Sequence, residues 1–104
     1  MVGIFVFIKI MPHTIYILYS KKLNRFYTGE TSDLDQRLVF HKNSPTHKFT
    51  GKADDWELFY EFECPSKKIA KLIEAHIKRM KSRRYIENLK RYPEIMERLM
   101  EKYG

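Results

Sequence analysis

Five side chains in this sequence have the types, and the order along the chain, of a reaction centre: Tyr16, Tyr27, Arg37, His41 and Glu74. A phenol gives or takes a proton, and a guanidinium presents a planar fork that matches two phosphate oxygens at once. An imidazole changes charge near neutrality, and a carboxylate binds a hard cation. The sequence runs Thr14-Ile15-Tyr16, ten further residues, Tyr27-Thr28-Gly29-Glu30-Thr31, and then Arg37-x-x-x-His41. To act together, these groups must each leave a small core and point the same way.

The elements that would position them follow from periodicity. His13 to Ser20 alternates at a period of two, with Thr14, Tyr16, Leu18 and Ser20 on one face and Ile15, Ile17 and Tyr19 on the other. Lys21 to Asn24 reads as a four-residue hairpin loop, and Arg25 to Thr31 as the returning strand, in which Tyr27 and Gly29 share a face. Glycine inside a strand marks a bulge or a close approach by another group. Ser32 is the expected N-cap of a helix from Asp33 to Lys42, with Leu34 and Leu38 toward the core and Arg37 and His41 on a neighbouring face. Asn43-Ser44-Pro45 ends it, and Thr46 to Asp55 reads as an exposed loop. Trp56 to Phe62 is a third strand, with Trp56, Leu58, Tyr60 and Phe62 on one side and Trp56 assigned to the core. Ser66 caps the longest helix, whose buried stripe is Ile69, Leu72, Ile73, Ile77 and Met80, with Glu74 on its border. Ser82 caps a helix over Arg83 to Lys90, and Pro93 opens a last one. The expectation is an α+β domain over residues 13–104, a small three-stranded antiparallel sheet flanked by helices. Residues 1–12 are an N-terminal extension or an extra strand, with Met1 or Met11 as the start.

The formal net charge of +7 is carried entirely by residues 65–104, which hold 12 Lys/Arg against 5 Asp/Glu; residues 1–64 balance at 8 against 8. A basic face beside a neutral half favours a polyanion such as nucleic acid; an anionic membrane or a solvated helical face are the competing readings. The run Lys78-Arg79-Met80-Lys81-Ser82-Arg83-Arg84 is its densest part. Its cations are suited to backbone phosphates, which position a substrate without reading its sequence. A lone cysteine, Cys64, excludes a disulfide framework and a cysteine zinc site and fits a reducing, cytoplasmic setting. Met1 to Ile10 lacks the basic start and cleavage site of a secretory signal and is too short to span a membrane.

Thr14-Ile15-Tyr16 and Tyr27-Thr28-Gly29, at this spacing, resemble the two signature tripeptides of the GIY-YIG endonucleases. The likeness extends through Arg37-x-x-x-His41 and Glu74 and covers roughly residues 13 to 90. It is nearest to the small stand-alone bacterial members that resemble the N-terminal nuclease domain of the excision-repair incision subunit. Thr14 and Thr28 depart from the signature; both tyrosines remain. The resemblance implies a Mg²⁺- or Mn²⁺-dependent endonuclease acting on DNA in repair or processing, structure-directed or weakly sequence-selective, with RNA left open as a substrate. It implies that Glu74 holds the metal, Arg37 pins the scissile phosphate, and Tyr16 is the general base or positions the water. Tyr27 would position water or phosphate, and His41 would orient a tyrosine or shuttle its proton. Lys78, Arg79, Lys81, Arg83 and Arg84 would hold nucleic acid. Ile86 stands where the family often has an asparagine, with Asn88 two residues on. A domain of this size would need a homodimer or a partner protein for targeting to bring much sequence specificity, and monomer against dimer is left open. The alternative is a non-catalytic nucleic-acid-binding module on the same fold.

Overall fold

The computed structural model describes residues 12–43 and 53–104. The proposed N-terminal strand and most of the 46–55 loop lie outside them. Strand β1 (His13–Ser20) and strand β2 (Arg25–Thr31) have the expected bounds and pair antiparallel across the turn Lys21 to Asn24. Asn24 takes a left-handed φ of 52°, which asparagine tolerates better than most residues. Strand β3 (Glu57–Cys64) pairs antiparallel with β1, which gives the sheet order β2-β1-β3 and leaves β2 at an edge.

β3 does not keep the alternation read from its sequence. Ile17 pairs with Tyr60 but Leu18 pairs with Leu58, so Phe59 is an extra residue, a β-bulge. Tyr60 and Phe62 reach the core, as does Phe59 beyond the bulge, packed edge-on against Phe26 with centroids 5.0 Å apart. Leu58 is left exposed opposite Leu18. The bulge also changes the facing of the residues before it, with a consequence for Trp56 described below.

Helix α1 (Leu34–Asn43) is capped by Asp33 rather than Ser32: Gln36 N–H donates to Asp33 Oδ1 at 3.1 Å. Thr31 Oγ1 accepts from Asp33 N–H and so fixes that cap's approach. Leu34 and Leu38 are only half-buried, and His41 is the buried residue of this helix among its described side chains. Helix α2 (Lys67–Met80) is capped by Ser66 as expected, its hydroxyl accepting from Ile69 N–H, and ends on Lys81 in the left-handed region. Its buried line is Ala70, Ile73 and Ile77; Leu72 and Met80, expected inside, are exposed. Leu72 lies about 100° from Ile73 around the axis, and Met80 sits in the final turn. Helices α3 (Arg83–Arg91) and α4 (Pro93–Tyr103) add Leu89, Met96 and Leu99 to the same core.

Burial raises several acidic groups in this core. It pushes the Cys64 thiol from 9.0 to about 11 and the Tyr60 phenol, with a further push from Cys64, from 10.0 to about 12. Tyr85 moves the same way, through burial and then Tyr103. Each group therefore holds its proton harder folded than unfolded. The stability they contribute is complete below about pH 9 and is lost as pH climbs through their folded values. The melting temperature, followed by circular dichroism, is expected to stay level to about pH 9 and then fall steadily toward pH 12. Cys64→Ala should delay the onset of that fall; a melting temperature flat to about pH 11 would contradict the account.

Candidate active site

The pairing of β1 with β2 sets Tyr16 opposite Gly29 and Leu18 opposite Tyr27, so both phenols stand on one face, as the alternation requires. A Cβ at Gly29 would lie 2.5 Å from the Tyr16 hydroxyl oxygen and 2.6 Å from its Cζ. The glycine is thus the gap through which the Tyr16 ring crosses the edge strand. Beyond it the hydroxyl meets His41 Nε2 at 2.8 Å. A neutral imidazole protonated on Nδ1 accepts that O–H; an imidazolium would have to donate to it. Tyr27 completes the cluster, its ring centroid 4.9 Å from that of His41 and 6.3 Å from that of Tyr16. Tyr16 and His41 are 1% and 2% exposed, whereas Tyr27 is half-buried, so Tyr27 is the ring of the three that solvent reaches.

Burial, first, holds the Tyr16 proton far above the ordinary tyrosine range; Tyr27 adds to this, Arg37 opposes it, and Glu74 and Glu30 add again. The Arg37 guanidinium favours the phenolate, but burial outweighs it. Arg37 is exposed, its guanidinium 5.7 Å from the Phe40 ring centre, at a hollow lined by Thr31, Ser32, Asp33 and Gln36. It makes no ion pair among the described residues. The Glu74 side chain is 19% exposed and pairs with Lys78 Nζ at 3.0 Å, one turn further on.

Removing the acceptor should show what His41 contributes. His41→Phe leaves the buried Tyr16 hydroxyl without its partner, a cost of about 1–3 kcal/mol in denaturant unfolding. His41→Gln, which can still accept, should lose less than half of that. Equal losses would place the contribution of His41 in packing alone.

A family model for the GIY-YIG catalytic domain matches residues 12–88. The chain belongs to the GIY-YIG family. It is also 35% identical over 79 residues to the UPF0213 protein BH0048 of Halalkalibacterium halodurans, spanning 76% of this chain and 82% of that one. The solution NMR structure of the UPF0213 protein BH0048 from Bacillus halodurans matches with a TM-score of 0.48 at 35% identity, over 76% of this chain and 82% of that chain. GIY-YIG domains are nuclease domains, and the tripeptides, Arg37, His41 and Glu74 all fall within the matched span. No helix among the described residues is long and apolar enough to cross a membrane.

The remaining expectations for this GIY-YIG domain divide. Its basic run is exposed at Lys78, Arg79, Lys81, Arg83 and Arg84. Lys78, Lys81 and Arg83 border a cleft beside β2, whereas Arg79 donates to the Tyr103 hydroxyl at 3.2 Å. Arg84 faces a separate hollow with Glu87, Asn88 and Arg91. Ile86 borders the same cleft as Tyr27, and Asn88 borders the hollow beside Arg84. Trp56 is not in the core: it lies just before β3 with its ring 6.5 Å from that of Tyr27. Periodicity missed this because the bulge at Phe59 reverses the facing of what precedes it. His13 pairs with Glu30 at 3.3 Å and His76 bonds the Tyr103 hydroxyl at 2.8 Å.

Proposed function

We propose that this domain is a divalent-metal-dependent endonuclease that hydrolyses DNA phosphodiester bonds, structure-directed or weakly sequence-selective, with a place in DNA repair or processing. One observation carries the reading: the Tyr16 phenol passes over Gly29 to His41, with Tyr27 alongside.

The donor set suits Mg²⁺ or Mn²⁺. Among the described residues no three His, Cys, Asp or Glu side chains gather into a cage. A hard cation that keeps its waters and takes phosphate oxygens needs only one protein carboxylate. Glu74 supplies that carboxylate, and its present partner is the flexible end of a half-exposed lysine. When bound there, the metal supplies charge neutralisation at the phosphate and acidifies a water. The chain's own residues do the rest. Arg37, solvent-facing and free of any carboxylate among the described residues, grips two oxygens of the scissile phosphate. Tyr27 orients the attacking water or the phosphate. Tyr16 and His41 together take up the proton, because burial prevents Tyr16 from holding a negative charge alone.

The test is cleavage of supercoiled, branched and flapped DNA with Mg²⁺, with Mn²⁺ and with a chelator. Cleavage that the chelator abolishes, reduced about 10²–10³-fold by Arg37→Ala, is the expected result. Failure of the parent to cut any of these substrates overturns the reading. It leaves the binding-module alternative, which the basic charge of residues 65–104 alone would support.

A further inference from the structure

A cleft of about 460 Å³ opens between β2 and the junction of α2 with α3. That volume lies within the range of small-ligand sites. Its wall is apolar, formed by Phe26, Ile77 and Ile86, and its border is cationic, formed by Arg25, Lys78, Lys81 and Arg83. An apolar wall under four positive charges does not suit a hydrophobic peptide or a lone inorganic anion. It suits a ligand that is flat and apolar at its centre and negative at its edge. The cleft is also continuous with the catalytic cluster, because Tyr27 lines it and Lys78, on its border, is the partner of Glu74.

One border cation is fixed before any ligand arrives. The Arg83 guanidinium donates to the Asn24 carbonyl at 3.1 Å and to Asn24 Oδ1 at 2.9 Å. It lies 5.3 Å from the Phe26 ring centre and 6.0 Å from that of Tyr19. Guanidinium planes and aromatic rings are the surfaces on which unstacked bases settle in single-strand recognition.

We propose that this cleft is a subsite for one unstacked nucleoside of the substrate, its base against Phe26 and Ile86 and its phosphates at Arg25, Lys78 and Lys81. The identity of the ligand rests on the nuclease reading. In consequence, the domain favours substrates in which the base beside the attacked phosphate can leave its stack, as at a flap, a gap or a frayed end.

An NMR titration with thymidine 3′,5′-bisphosphate, against inorganic phosphate as control, tests this without requiring cleavage. The nucleotide should shift the Ile77 and Ile86 methyl signals saturably, and phosphate alone should not. Ile86→Trp, which fills the cleft, should abolish the response at Ile77. Should that variant fail to fold, Asn24→Gly removes the side-chain acceptor of the two that orient Arg83 while tolerating the positive φ, and should weaken the nucleotide about tenfold. Methyl signals that the nucleotide leaves unmoved, or that phosphate moves equally, overturn the proposal. A chain that binds the nucleotide here yet cuts nothing would defeat the nuclease reading instead, and one that cuts DNA with silent methyls would defeat only the subsite.

Discussion

Glu74→Gln is expected to lower kcat/KM for metal-dependent cleavage by about 10³-fold or more, a loss of roughly 4 kcal/mol in transition-state stabilisation. The substitution keeps the shape of the side chain and removes only its charge. It deletes the ion pair with Lys78, but a pair one turn apart on a helix with a half-exposed lysine contributes only about 0.2–0.5 kcal/mol. Thermal unfolding should therefore barely change while activity collapses. That separation is the informative feature, because a carboxylate serving only its lysine would give small changes in both. Raising Mn²⁺ should recover part of the rate if the amide still binds the cation weakly. A variant that keeps a tenth of the parental activity would move the metal site away from this helix.

Gly29→Ala is the second large effect, and it acts through a residue on another strand. The added methyl would lie only 2.5 Å from the Tyr16 hydroxyl oxygen, so the ring must move and its 2.8 Å bond to His41 breaks. The obstructing atoms are the end of a side chain rather than backbone, so the fold should survive with a loss of about 1–3 kcal/mol. Activity should fall further, by about 10²-fold, because displacing a catalytic group by an ångström is enough for that. A double-mutant cycle separates this from general damage. With Tyr16→Ala already in place, Gly29→Ala should cost almost nothing more in activity. Additive losses would show that the glycine matters for some reason other than the phenol.

Much of this site is legible in the sequence, because period-two alternation is a local property. It puts Tyr27 and Gly29 on one face of their strand, which the register with β1 then sets beside Tyr16, and the glycine already signals a close approach, which the Tyr16 ring supplies. The caps at Ser66 and Ser82 are equally local and were found where expected. What the sequence hides depends on partners. The alternation of Trp56, Leu58, Tyr60 and Phe62 is unbroken in the sequence; only the pairing with β1 inserts Phe59 and sends Trp56 beside Tyr27. Ser32 and Asp33 are both good caps, and the bond from Thr31 to Asp33 decides between them. The buried stripe on α2 is narrower than its periodicity predicts, because helical periodicity does not reveal where the sheet beneath it ends. Asp54 and Asp55, read as part of an exposed loop, instead hold the hairpin turn through Lys22 and Ser20.

That last contact bears on how the hairpin tip behaves. Asp55 takes the Ser20 hydroxyl and the Lys22 N–H from one side, while Arg83 takes Asn24 from the other. Stapled on both flanks, the tip has little freedom to surrender when a ligand lands beside it, so association there loses less entropy than at a loose turn. Cutting either staple would show first as faster dissociation, with the rate of encounter, which long-range charge governs, left nearly intact.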